Sequence, residues 1–109
     1  MKILTSQEEI LLLAIVALGE EAYGVMIRRY VSDATGKEWS IGAVYDPLYR
    51  LEDKGHVRSS LSDPTAERGG RSKRVFTITD AGREALVEHR RIREVLWDGV
   101  PGLATGGEE

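Results

Sequence analysis

The chain has no cysteine. That one absence excludes disulfide frameworks, thiolate zinc sites and cysteine nucleophiles together, and it fits a reducing cytoplasm. Long apolar runs are also missing. The longest, residues 10–18, falls far short of the ~20 residues that span a bilayer, and no basic segment or small-residue cleavage site frames it as a signal peptide. The expectation is a cytoplasmic protein with no membrane partner. Neither a phosphate-binding Gly-x-x-x-x-Gly-Lys-Ser/Thr nor a Gly-x-Gly-x-x-Gly occurs, and no histidine accompanies a serine in a nucleophile-elbow pattern. Nothing assembles a nucleophile, a base and an orienting group, so no enzyme is expected. The two histidines, His56 and His89, stand far apart without a thiol to assist them, which makes a poor metal site and implies no cofactor. A cationic excess is missing too. The net charge of −3 argues at first against a nucleic-acid partner, because Lys and Arg neutralising phosphate supply most non-specific affinity.

What is present changes that conclusion, because charge distribution matters more than the sum. Residues 66–78 hold four basic side chains and one acid, whereas residues 1–22 hold one basic side chain and four acids. Such a chain can present one cationic face. Its 109 residues suit a single domain with one modest core. Ser6 and Glu9 read as a capping box for a first helix over residues 7–18, ended by Gly19. A second segment opens at Tyr23 and Gly24, carries Val25, Ile27, Tyr30 and Val31 at helical spacing, and ends near Gly36. Ser40 caps a third helix whose Ile41, Val44, Leu48 and Leu51 form a core stripe. On its other side lie Ala43, Asp46, Arg50 and Lys54, with Pro47 beside them.

Gly55 stops that helix. Residues 56–61 and 73–78 then alternate with period two around a Gly- and Arg-rich turn containing Arg68, Gly69, Gly70 and Arg71. Thr79 and Asp80 cap a fourth helix in which Ala85, His89, Ile92 and Leu96 share a face. The fold class is therefore mainly α with a small β-hairpin: a winged helix-turn-helix over residues 1–80, a C-terminal helix over 81–98 that wants a partner helix, and a flexible tail over 99–109. A helix delivered into a basic two-stranded ribbon is suited to double-stranded DNA.

The order of motifs resembles the PadR-like transcriptional regulators. The matching blocks are Glu9-Ile10-Leu11-Leu12-Leu13-Ala14, Ala22-Tyr23-Gly24-Val25-Met26-Ile27, Gly42-Ala43-Val44-Tyr45, Leu48-Tyr49-Arg50-Leu51-Glu52-Asp53-Lys54-Gly55, and the run from Arg71 through Phe76 and Thr79 to Gly82. The resemblance implies a homodimeric repressor, dimerised through a single C-terminal helix and often released from a palindromic operator by a small-molecule effector. One departure is proline: many relatives have it directly after the tyrosine, whereas here Asp46 follows Tyr45 and the proline is Pro47. Pro47 removes one helical bond, to the carbonyl of Ala43, and predicts a kink or a loosened first turn.

The residues expected at DNA are Ser40, Ala43, Tyr45, Asp46 and Arg50 on the third helix and Arg71, Lys73 and Arg74 on the wing. For each there is a plainer reading: a solvated charge run for the wing, an in-helix ion pair of Arg50 with Asp46 or Asp53, simple packing for Tyr45. The family pattern turns Tyr45 towards a phosphate. Asp46 repels phosphate but can accept from a cytosine amino group. Ala85, His89, Ile92 and Leu96 are the expected dimerisation residues, although His89, near Arg90, Arg91 and Arg93, also reads as an ordinary surface residue. Trp97 could stack a planar ligand, as multidrug-sensing relatives do with aromatic residues there, or simply finish a dimer core. The rival to a DNA-binding regulator is a winged-helix protein-interaction module, which an acidic total would suit. Four basic residues within residues 68–74 favour the polyanion.

Overall fold

The computed structural model describes residues 3–62 and 73–104. Four main helices and one hairpin follow in the expected order: α1 (Ser6–Leu18), a 3₁₀ turn (Gly19–Glu21), α2 (Gly24–Thr35), α3 (Ile41–Asp53), β1 (Val57–Leu61), β2 (Arg74–Ile78) and α4 (Asp80–Asp98). A short α5 (Pro101–Ala104) stands where the sequence suggested only a flexible tail. Pro101 opens it at the first position, where a missing amide is harmless.

The start of α1 differs from expectation by one residue. Thr5, not Ser6, is the cap: its hydroxyl accepts from the Glu8 amide, and the Glu8 carboxylate accepts from the Thr5 amide. Both frames satisfy the capping-box pattern locally. Packing decides between them, because Glu8 lies on the same face as Leu11, Leu12 and Ile15, which are buried against the rest of the domain.

The core gathers those residues with Ile27 and Val31 of α2, Val44, Leu48 and Leu51 of α3, and Val57, Phe76 and Ile78 of the hairpin. Val25 and Tyr30 of α2 point outward instead. So does Ile41, which is 61 % exposed although its spacing puts it in the core stripe. It is the first residue of α3 and extends beyond the layer that would cover it. Burying a side chain such as Leu48 or Phe76 stabilises the domain by about 1.5–3 kcal/mol.

The strands are antiparallel in a register that pairs Val57 with Ile78 and Ser59 with Phe76. A third, minimal strand comes from the entrance to α2: Tyr23 bridges Val75, and the Phe76 amide donates to the Ala22 carbonyl at 2.8 Å. This ties the base of the wing to the support helix. At the other end, Thr79 fastens α4 to the α3–β1 turn. Its hydroxyl donates to the Gly55 carbonyl at 2.7 Å and accepts from the Gly82 amide, while its own amide donates to the His56 carbonyl. Gly55, at φ 82°, makes the sharp exit from α3.

Pro47 does not break α3, which runs without interruption through it. Its ring is buried, where the sequence reading had left it beside the solvent face. The opening bond of α3, from the Val44 amide to the Ser40 carbonyl, is 3.3 Å, against 2.9–3.0 Å at the starts of the other long helices.

Candidate nucleic-acid interface

Four residues define the outward face of α3. Gly42, Asp46, Tyr49 and Arg50 are exposed, and at ~100° per residue they lie together opposite Val44, Leu48 and Leu51. Ser40 caps the helix by accepting from the Ala43 amide at 3.1 Å. Ala43 is half-buried, and with Ser40 it borders a groove shared with Ile10 of α1 and Trp39. Two of the expected residues therefore sit at the rim of the face rather than at its centre. Tyr49 stands at its centre, 48 % exposed, although a tyrosine next to a Leu-rich stripe reads from sequence as packing.

Tyr45 is half-buried, its ring 5.8 Å from that of Tyr49 and 6.5 Å edge-on from Phe76. Its hydroxyl reaches over the first turn of α2. A Cβ on Gly24 would fall 2.6 Å from Tyr45 Cζ and overlap the hydroxyl. The two blocks Tyr23-Gly24 and Val44-Tyr45 are thus one contact: the glycine exists to admit the tyrosine. Beside it the Lys73 ammonium stands 4.2 Å from the centre of the Tyr23 ring, a cation–π pair that holds the wing base against the entrance to α2. Lys73 on Tyr23 and Tyr45 over Gly24 thus meet at the entrance to α2, and the Tyr45–Tyr49 pair leads on to the exposed face of α3.

Arg74 is exposed, its guanidinium donating to Ser59 Oγ at 2.9 Å while that hydroxyl donates to Glu52. Arg71 and the basic tip lie outside the described residues.

The charges of α3 are committed before any partner arrives. Glu8, 1 % exposed, accepts a hydrogen bond from Lys54 Nζ at 2.8 Å and stands 3.9 Å from Arg50 Nε. Burial pushes its pKa up, but the Lys54 hydrogen bond, the Thr5 amide and the charges of Lys54 and Arg50 outweigh burial and hold it below its usual value. The plainer reading of Arg50 thus holds in part, with a different partner: a buried acid on α1 rather than Asp46 or Asp53. One Glu8 carboxylate stands against both Arg50 and Lys54, and with Asp46 and Asp53 exposed and Glu52 bonded to Ser59, α3 presents little net positive charge.

The stripe on α4 divides in two. Ala85 and Ile92 are half-buried within the chain, and His89 is 8 % exposed with Nε2 3.5 Å from the Glu9 carboxylate. His89 is therefore not an ordinary surface residue. Leu96 is 67 % exposed, and Val95, Trp97, Val100 and Leu103 are exposed around it. Among the described residues no cluster of three or more His, Cys, Asp or Glu could hold a metal, and no helix is long and apolar enough to cross a membrane.

The sequence profile of the transcriptional regulator PadR-like family matches residues 12–88. The chain belongs to that family. It is a transcriptional regulator of a DNA-binding family, and not an enzyme. Transcriptional regulator Rv3488 of Mycobacterium tuberculosis is 36 % identical over 80 residues, covering 73 % of this chain and 70 % of that protein. The crystal structure of a PadR-like transcriptional regulator from Bacillus cereus superposes with a TM-score of 0.72 at 25 % identity, over 93 % of this chain and 92 % of its own. A PadR family regulator from Eggerthella lenta gives 0.67 at 26 % identity, over 90 % and 83 %. The PadR-like blocks correspond to the contacts described above: the capped start of α3, the Tyr45–Gly24 contact and the Thr79–Gly82 clasp.

Proposed function

We propose that the protein is a homodimeric repressor that reads a palindromic operator. The observation that carries this reading is the juxtaposition at the entrance to α2, where Lys73 of the wing base lies on Tyr23 and Tyr45 of α3 lies over Gly24, beside the exposed face of α3. It has the shape of a helix with a flanking ribbon, and the base of the ribbon carries Lys73 and Arg74, neither of them paired with a carboxylate among the described residues. On this reading α3 enters the major groove with Asp46, Tyr49 and Arg50 towards base edges or adjacent phosphates, Ser40 and Ala43 at its rim, and Tyr45 towards a phosphate. Lys73 and Arg74 approach the flanking backbone, and Arg71 belongs with them by its place in the wing.

The double substitution Lys73→Ala with Arg74→Ala tests this. Affinity is expected to fall for every duplex, and the slope of log K against log salt to flatten by about two. Unchanged salt dependence would remove the wing base from the interface.

Dimerisation is proposed through the open half of the α4 stripe, continuing from the Ala85, His89 and Ile92 side to Leu96. Two copies would then present their α3 helices one helical turn of DNA apart, or a multiple of it. Leu96→Asp is expected to shift the protein to monomer in light scattering at micromolar concentration and to abolish operator binding. A persistent dimer would place the seam elsewhere. Trp97, 44 % exposed beside Leu96, is proposed to pair with its symmetry mate around a planar effector that releases the operator. The protein would act in the cytoplasm.

A further inference from the structure

Two helical glycines are explained by the chain's own packing: Gly24 admits the Tyr45 ring, and Gly82 admits the His56 backbone. Gly42 is not. It occupies the first turn of α3, its φ is not positive, and among the described residues a Cβ there would meet only the Asp46 carboxylate at 3.9 Å, an ordinary contact. Glycine inside a helix lowers stability relative to alanine, because it leaves the unfolded chain more freedom to lose. The folded chain thus carries a destabilising residue for which the packing of the described residues gives no reason. Gly42 also stands on the outward face with Asp46 and Tyr49, next to Ile41, whose side chain is 61 % exposed. A glycine on an exposed helical face is what close approach of another molecule to the backbone requires.

We propose that Gly42 is where DNA comes into direct contact with the α3 backbone. Without a Cβ there, the first turn seats deeper in the major groove, and the neighbouring side chains Asp46 and Tyr49 reach base edges that a methyl group would hold away. The inference rests on the DNA-binding reading above and adds a specificity-determining position to it.

Gly42→Ala tests the inference because it moves stability and binding in opposite directions. The melting temperature is expected to rise by several degrees, as alanine replaces glycine in a helix without a clash. Affinity for a duplex enriched by the wild-type protein from a random-sequence pool is expected to fall at least tenfold. Affinity for a scrambled duplex, which does not seat the helix in register, is expected to fall less than threefold. A variant that is stabilised and binds the enriched duplex within twofold of wild type would overturn the inference while leaving DNA binding intact. A variant that is destabilised would overturn it as well, since Gly42 would then serve the fold. If the wild-type protein enriched no duplex at all, the DNA-binding reading itself would fail, and this inference with it.

Discussion

Gly82→Ala is expected to destabilise the domain by about 3 kcal/mol or more, the upper end of what overpacking does when neither side can yield. The added Cβ would lie 2.7 Å from Ile78 Cγ1 and closer still to the His56 carbonyl oxygen. That oxygen cannot retreat easily. It accepts from the Thr79 amide, and Thr79 is itself held to the Gly55 carbonyl and caps α4. Relief of the clash would require α4 to lift from the α3–β1 turn, loosening the clasp that orients the C-terminal helix. For a domain of this size the loss corresponds to a fall in Tm of roughly 12–24 °C in thermal unfolding followed by circular dichroism. Gly102→Ala, where a Cβ would meet nothing within 4 Å, is the matched control. A Gly82→Ala protein melting within two degrees of wild type would show that the clasp can open without consequence.

The second large effect lies beneath the reading helix. Glu8→Ala is expected to cost about 2 kcal/mol at neutral pH. That is less than the 3–5 kcal/mol of a fully buried pair, because Lys54 and Arg50 can turn to water once the acid is gone. Their side chains are 30 % and 53 % exposed. The effect has a pH signature. The folded-state pKa of Glu8 is below its ordinary value of 4.5, so its contribution is fully present above about that pH. It is lost as the pH falls through the depressed folded value. Chemical denaturation of wild type and Glu8→Gln, which keeps the side-chain size, should therefore show a gap at pH 7 that narrows progressively below pH 4.5. A gap independent of pH would mean that packing, not charge, is what Glu8 supplies. The same variant frees Arg50 and Lys54 from their internal counter-charge, and its affinity for random DNA is expected to rise several-fold, with a steeper salt dependence. Glu8 thus links α1 to α3: the acid that stabilises the fold also offsets part of the positive charge at the C-terminal end of α3.

Much of the fold is legible in the sequence because its signals are local. Ser40 and Thr79 cap helices as their positions suggest, Gly36 and Gly55 end them, and the alternation from Val57 to Leu61 and from Arg74 to Ile78 sets the hairpin. The misreadings fall where local rules are degenerate. Thr5-x-x-Glu8 and Ser6-x-x-Glu9 are equally good capping boxes, and tertiary contacts decide which glutamate turns inward: the packing of the Leu11, Leu12 and Ile15 face and the pairing of Glu8 with Lys54, far along the chain. Periodicity assigned Ile41 to the core, but a helix can extend past the layer that covers it, and its first residue then faces out. His89 reads as a surface residue among arginines until the α1–α4 contact places it against Glu9. At the candidate site the sequence names both Gly24 and Tyr45 without revealing that they touch. Tyr49 is missed for the opposite reason, since an aromatic residue beside a leucine stripe is usually packed.

The central claim, that the face formed by α3 and the wing base binds DNA in a sequence-specific way, is tested most directly by fluorescence anisotropy. The protein is titrated against its own promoter fragment and against a scrambled duplex of the same composition at several salt concentrations. The account predicts salt-sensitive binding to both duplexes, with the promoter preferred by roughly 10³-fold or more. Absence of binding to either duplex, even at low salt, would contradict it.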